Sequence, residues 1–409
     1  MGPMVDDIVK FARLQSQAQP DQALDVLRSG LSMQGDSPAG LAAGRLHLVM
    51  AEIEAERSNW NNAAERADSA AKASSATEPG EEEKSAVLQA VARGLCTRVL
   101  LSAGRDEEAV DYALNSRVED NFMDPVSMLE DLASTTLVRH AMAPLEDEEM
   151  ATVHMQLDVL QGIAMEHGEA SVANAAKCAA NVRLSMGQTS EADSMFGWVQ
   201  NTAEAAGQSP EQQAAVVSPQ RCAEIRADAL LGRAQAAIFM KEWQQAEDLL
   251  SQGLTAAEAV GGENHPRLSM VLSLLATVFA RTQRVTMAEG LYRNAAKLIK
   301  LDPSQAKPTA NGVHSSVAAM IAWQHAQLLT VLPKREKEAQ EWADCARAHF
   351  RQSLSLEGDI ETVFGSLEAL RGGDKVFREV VVDLSTRRIF DGMEAGLGDA
   401  PPDELDGAA

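Results

Sequence analysis

An alanine that returns at intervals near forty residues is the strongest constraint on this chain's fold. Ala23, Ala63, Ala109, Ala192, Ala246, Ala288 and Ala339 are separated by 40, 46, 83, 54, 42 and 51 positions. In the clearest pair of segments, Ala234 stands twelve residues before Ala246 and Leu250 stands four after it; Ala276, Ala288 and Tyr292 repeat that order. A small residue on a first helix lets a second helix cross it closely. The second helix brings its own alanine to the crossing, and a bulky residue one turn later fills the groove beside it. A helix hairpin of this kind cannot bury its apolar face alone, so successive hairpins must stack. The expected fold is an all-α solenoid of seven to eight helix pairs.

The flanking residues keep the same register. Trp60-Asn-Asn-Ala63 copies Trp243-Gln-Gln-Ala246, and both tryptophans are expected to pack between the helices of their unit. Gly104 and Gly187 precede Ala109 and Ala192 by five, where a tight turn needs a permissive backbone. The interval of 83 spans two units, which places a degenerate pair at about 120–165. Loop signals divide the chain into N-terminal repeats over 1–200, an insertion over 201–220 and C-terminal repeats over 221–370. Residues 371–390 are expected to cap the solenoid with a helix, although the β-branched run Val380–Val382 also allows a strand. The tail, 391–409, is rich in Gly, Pro and acidic residues and is expected to be disordered.

This helix-pair register resembles the tetratricopeptide repeat. The stretch 243–302 resembles the kinesin light chain class of that repeat, with its 42-residue unit and the turn Gly262-Glu-Asn-His265-Pro266 between helix pairs; Leu275-Ala276, Ala288-Glu289, Leu291-Tyr292-Arg293 and Ala295 follow in family order. Where that class carries paired asparagines that contact cargo, this chain has Ser273 and Leu274, so motor-cargo binding is not expected. The resemblance implies a right-handed superhelix whose concave face comes from the first helix of each unit. In this register that face holds Arg45, Glu52, Asn174, Lys177, Asn181, Asp228, Leu231, Gln235, Ser273, Thr277 and Arg281. Such a mixed polar surface suits a peptide or helix of a partner protein. Lys177 and Asn181 match the first two groups of the clamp by which some of these repeats hold a terminal carboxylate. Gly232, Met270 and Leu274 stand where its other groups belong, so a polar helix face is the expectation there.

Composition excludes several other functions. The 409 residues carry a net charge of −24, which repels nucleic-acid phosphates and anionic lipids. No apolar stretch reaches the length of a membrane span, and the acidic N-terminus lacks the features of a secretory signal. Cys96, Cys178, Cys222 and Cys345 form no C-x-x-C pair and are expected to be reduced, buried thiols of an intracellular, cytoplasmic protein, or of an organelle interior if a leader was removed. His140, His154 and His167 have no metal-ligand spacing, and no nucleotide-binding or nucleophile-elbow motif occurs. The expectation is therefore a non-catalytic scaffold or adaptor with no metal, cofactor or small-molecule substrate. The alternatives are a structural or assembly-factor subunit of a stable complex, and a non-catalytic partner of an enzyme.

Overall fold

The structure, a computed structural model, describes residues 2–16, 18–35, 39–75, 80–115, 133–134, 137–138, 170–207, 219–305, 310–352, 358–370 and 380–390. The expected degenerate unit at 120–165 falls almost wholly outside these residues, and the tail 391–409 and the middle of the expected insertion lie outside them.

Seven helix pairs are seen among the described residues. They are α1 (Gly2–Gln15) with α2 (Pro20–Ser32), α3 (Leu41–Glu56) with α4 (Trp60–Ser74), and α5 (Glu82–Ser102) with α6 (Asp106–Asn115). Then come α7 (Ala170–Ser185) with α8 (Thr189–Gly207), α9 (Pro219–Phe239) with α10 (Trp243–Gly261), α11 (Arg267–Arg281) with α12 (Val285–Leu298), and α13 (Ser315–Thr330) with α14 (Glu336–Phe350). A short α15 (Ile360–Phe364) follows, then two strands, β1 (Val381–Asp383) and β2 (Arg388–Phe390).

Each recurring alanine is the fourth residue of its second helix, and all seven are buried. Each also donates its backbone N–H to the carbonyl of the residue just before that helix, as Ala63 does to Asn59 and Ala246 to Glu242. The register is therefore set identically in every unit. The turn ahead of it repeats too. Ser58, Gly104, Gly187, Lys241, Gln283 and Lys334 all have left-handed backbone, with φ between 61° and 76°. After all of these but Lys334, the next residue donates back to the last turn of the first helix, as Glu242 does to Ala237 at 2.8 Å and Arg284 to Phe279 at 2.8 Å. This bond satisfies a carbonyl that the helix end would leave open. Glycine marks only two of the six positions; the other four carry the strain of a side chain in that region.

First helices of successive units touch one another (α1–α3, α3–α5, α7–α9, α9–α11 and α11–α13), so they make the inner layer. Helix α13 is buried from Ser316 to Thr330 save at Gln324, as expected of a helix apolar on nearly every side. Tyr292, expected to fill the groove after Ala288, is buried, and its ring stacks on His325, which in turn meets Trp342. Burial, followed by the Arg293 and Arg335 charges, pushes His325 down to about 3, so it packs as a neutral ring.

The solenoid curls until its later units meet its earlier ones. Glu56, at the end of α3, accepts two hydrogen bonds of 2.9 Å from Arg267, at the start of α11. His265 Nε2 lies 3.3 Å from the Glu56 carbonyl. Gly312 has φ of +74°, and a side chain there would strike Pro266 and crowd Ser58. Units two and three thus close against units six and seven.

Candidate interaction site

The inner face is covered. The segment expected to form a capping helix instead forms, over its described part, a β-hairpin on the concave surface. Val381 pairs with Phe390, Val382 with Ile389 and Asp383 with Arg388. The reason is local: Val380–Val382 are β-branched, which favours extended backbone. Asp383 then closes the turn. Its carboxylate accepts from the backbone N–H and hydroxyl of Ser385 and from those of Thr386. Arg387, with φ of 51°, turns the chain into β2.

Strand alternation divides the hairpin's side chains between two cores. Val381 and Phe390 join the apolar cluster of the middle units. Val382, Leu384 and Ile389 join that of the C-terminal units. All five are buried to 2% exposure or less. Because Val382 and Ile389 turn their outward backbone groups away from each other, other partners must satisfy them. Gln235 does so for Val382, donating from Nε2 to its carbonyl at 2.9 Å and accepting its N–H at 2.7 Å. Ser316 Oγ accepts the N–H of Ile389.

Charges complete the fit. Asn181 donates to the Asp383 carboxylate at 3.1 Å. Burial alone would raise the Asp383 carboxyl; the Lys177 charge and the hydroxyls of Thr386 and Ser385 outweigh it and hold the group below its ordinary value. Lys177 itself is held at 2.5 Å by Asp228. Arg388 makes a two-point pair with Asp106, at 2.8 and 3.0 Å. Arg387 donates to Ser58 Oγ and to the carbonyls of Gly312 and Ala55, and lies over the Trp60 ring. Its desolvation, then the nearby Arg267 charge, bring it down to about 9.

Of the residues expected to line an open groove, Lys177, Asn181, Asp228, Leu231, Gln235 and Ser273 are buried. The groove is filled because the chain's own hairpin supplies the strand that the polar residues receive. Asn181 and Gln235 bond that hairpin, and Asp228 and Lys177 pair beneath it. Ser273 bonds within α11, to Met270. Thr277 joins Tyr292 and Gln324, linking α11 to its neighbours. Arg45 and Glu52 pair with Asp6 and Arg13 and tie α3 to α1. Arg281 is exposed at the end of α11, and the side chain of Asn174 lies outside the described residues. Trp60 and Trp243 are half-buried at the first position of their helices, at the edge of the core that they were expected to fill. Gly232 admits the Phe196 ring, which a side chain there would strike.

Arg387, Arg388, Glu56 and Arg267 were not singled out from sequence. The dibasic pair after a β-branched run and an Asp-x-Ser-Thr turn was the available signal. Glu56 and Arg267 are 211 positions apart, with nothing in either neighbourhood to link them.

Stacked helix pairs with a common turn and a common crossing residue define an all-α repeat solenoid. Residues 225–300, which span most of α9 through α12, match the tetratricopeptide repeat family, and this part of the chain carries tetratricopeptide repeats. No curated protein matches it by sequence. Among solved structures it is similar to a Rap protein complexed with competence and sporulation factor, at 12% identity and a TM-score of 0.49, covering 86% of this chain and 93% of that one. It is similar to the apo form of the quorum sensor NprR from B. thuringiensis, at 13% identity and a TM-score of 0.36, covering 85% and 99%. A third is a STAND signal-transduction ATPase with a tetratricopeptide repeat sensor from Pyrococcus horikoshii, at 12% identity and a TM-score of 0.44. That match covers 83% of this chain and 46% of the other, so the chain spans about half that protein's length. Among the described residues no helix is long and apolar enough to cross a membrane, and no cluster of His, Cys, Asp or Glu is set to hold a metal.

Proposed function

We propose that this protein is a non-catalytic scaffold that binds other proteins by holding an extended segment against the inner layer of its solenoid. The observation that carries this reading is the Gln235 amide, which grips both the N–H and the C=O of Val382. Backbone-directed bonds of this kind accept a strand whatever its side chains, and neighbouring side-chain sites then select among strands. Lys177 with Asn181 at one end and Asp106 at the other are such sites. The carboxylates of Glu56 and Glu224 pair with Arg267 and Arg221, which gives them structural roles beside the inner face.

Site-specific photo-crosslinking tests it. A benzophenone side chain at Arg281, on the inner rim, should capture a discrete partner protein from native extract, and one at Met287, exposed on α12, should capture less of it. Capture of nothing at either position, or equal capture of the same protein at both, would refute binding at the inner face.

A further inference from the structure

Residues 381–390 lie on the inner face as a bound segment would, not as another repeat. Two strands of three residues do not hold a sheet by themselves in water, so the surrounding helices impose this conformation. Those helices pack in pairs, and pair against pair, without it. Besides its five buried apolar side chains, the hairpin makes polar contacts that are particular to its sequence. Asp383 meets Asn181 and Lys177, Arg388 meets Asp106, and Arg387 lies among Glu56, Glu224 and Asp228. Buried charges are poor filler for a core, because apolar residues of the same volume serve stability as well or better. The occupant also fits imperfectly. The Nε–H groups of Arg387 and Arg388 are buried without an acceptor among the described residues, a cost that a better-matched segment would not carry.

The geometry points to the inner face as a receptor for a strand-forming segment of a partner protein that carries an acidic residue and, four and five positions on, two arginines, with residues 381–390 as the chain's own competing occupant. This rests on the scaffold reading and names its partner and its control. Charge complementarity selects the occupant. Carboxylates surround the arginine end, and a lysine and an amide surround the acidic end. A partner segment must displace the hairpin before it binds, so the hairpin sets a threshold on recruitment.

Two measurements on the full-length chain decide it. In native-state hydrogen exchange, the amides of Val382 and Ile389 should exchange through an opening that leaves the amides of α9 and α13 protected. Exchange of all of them together, in global unfolding, would overturn the proposal, because the hairpin would then be a permanent part of the core. The scaffold reading is tested separately, because only absent or position-independent crosslinking at Arg281 and Met287 would remove it. The second measurement uses a labelled peptide, Val-Val-Val-Asp-Leu-Ser-Thr-Arg-Arg-Ile-Phe. The double variant Ile389→Ala/Phe390→Ala should bind it at least about tenfold more tightly than the wild type. Adding Asp106→Asn, or replacing both peptide arginines with alanine, should remove that gain. A folded double variant that binds no better than the wild type overturns the proposal. So does one that sediments as a dimer, since the occupant would then be a second copy of this chain. If the double variant does not fold, the exchange result on the wild type decides.

Discussion

Replacing Arg267 with methionine should loosen the seam where the solenoid meets itself. Arg267 gives Glu56 two hydrogen bonds of 2.9 Å and lies 3.5 Å from Glu224. Methionine keeps the apolar stem and removes the charge, so two neighbouring carboxylates lose a shared counter-ion. Removing one member of a buried pair costs about 3–5 kcal/mol. Glu56 keeps 23% of its side chain exposed, and solvent screening lowers the expectation to about 2–4 kcal/mol. The loss depends on pH. Burial raises the Glu56 carboxyl above its ordinary value, and the Arg267 charge opposes that rise. A carboxyl raised in the fold contributes stability that is complete below its unfolded pKa and is lost as pH rises through the folded one. Without Arg267 the folded value climbs further. The deficit should then be largest near about pH 8 and shrink towards about pH 5. Urea unfolding followed by helical circular dichroism, wild type beside variant across that range, measures it. The double variant Arg267→Met/Glu56→Leu should recover most of the loss, because apolar residues replace a buried pair at little cost. A deficit under about 1 kcal/mol, or one that grows on acidification, would refute a seam held by this pair.

Other positions give sharper local tests. Gln235→Ala leaves the Val382 N–H and C=O buried without partners, so it should cost about 2–5 kcal/mol in urea unfolding and speed exchange of the Val382 amide; unchanged exchange would show that the two bonds do not hold the strand. Gly232→Ala, which in an open helix would gain about 1 kcal/mol, should instead lose about 1–3 because its Cβ would meet the buried Phe196 ring at 2.3 Å; a rise in melting temperature would contradict that packing. Lys241→Gly and Gln283→Gly each relieve a left-handed backbone and should stabilise by about 0.5–1 kcal/mol, read as a higher melting temperature. His265, His314 and His325 are each pushed down to about 3, chiefly by burial. Their stabilising contribution, complete above the ordinary value near 6.5, should be lost as pH falls towards 3, by up to about 1.4 kcal/mol per pH unit for each; His325→Phe should flatten the profile, and an unchanged slope would refute a neutral buried ring.

The repeat was legible because it is local. Ala246 hydrogen-bonds its own turn, and it stands twelve positions after Ala234 on the helix it crosses, so one stretch of sequence carries the whole unit. The same locality explains what was seen only in part at the turns. Gly104 and Gly187 announce a left-handed residue, whereas Lys241 and Gln283 adopt it under the pull of two packed helices and carry no mark of it.

The concave face shows the opposite case. Lys177, Asn181, Asp228 and Gln235 could be placed on one side of the first helices, because helical periodicity fixes direction. What faces them could not be read, since Asp383 is 202 positions from Asn181 and Val382 is 147 from Gln235. Sequence alone determined the all-α repeat, its register and the polar character of the inner layer, all consequences of interactions within about forty residues. Tertiary structure alone decided that the solenoid closes on itself through Glu56 and Arg267 and that its own C-terminal strands fill the space inside. Curvature summed over many units brings those distant residues together, and no single unit encodes that sum.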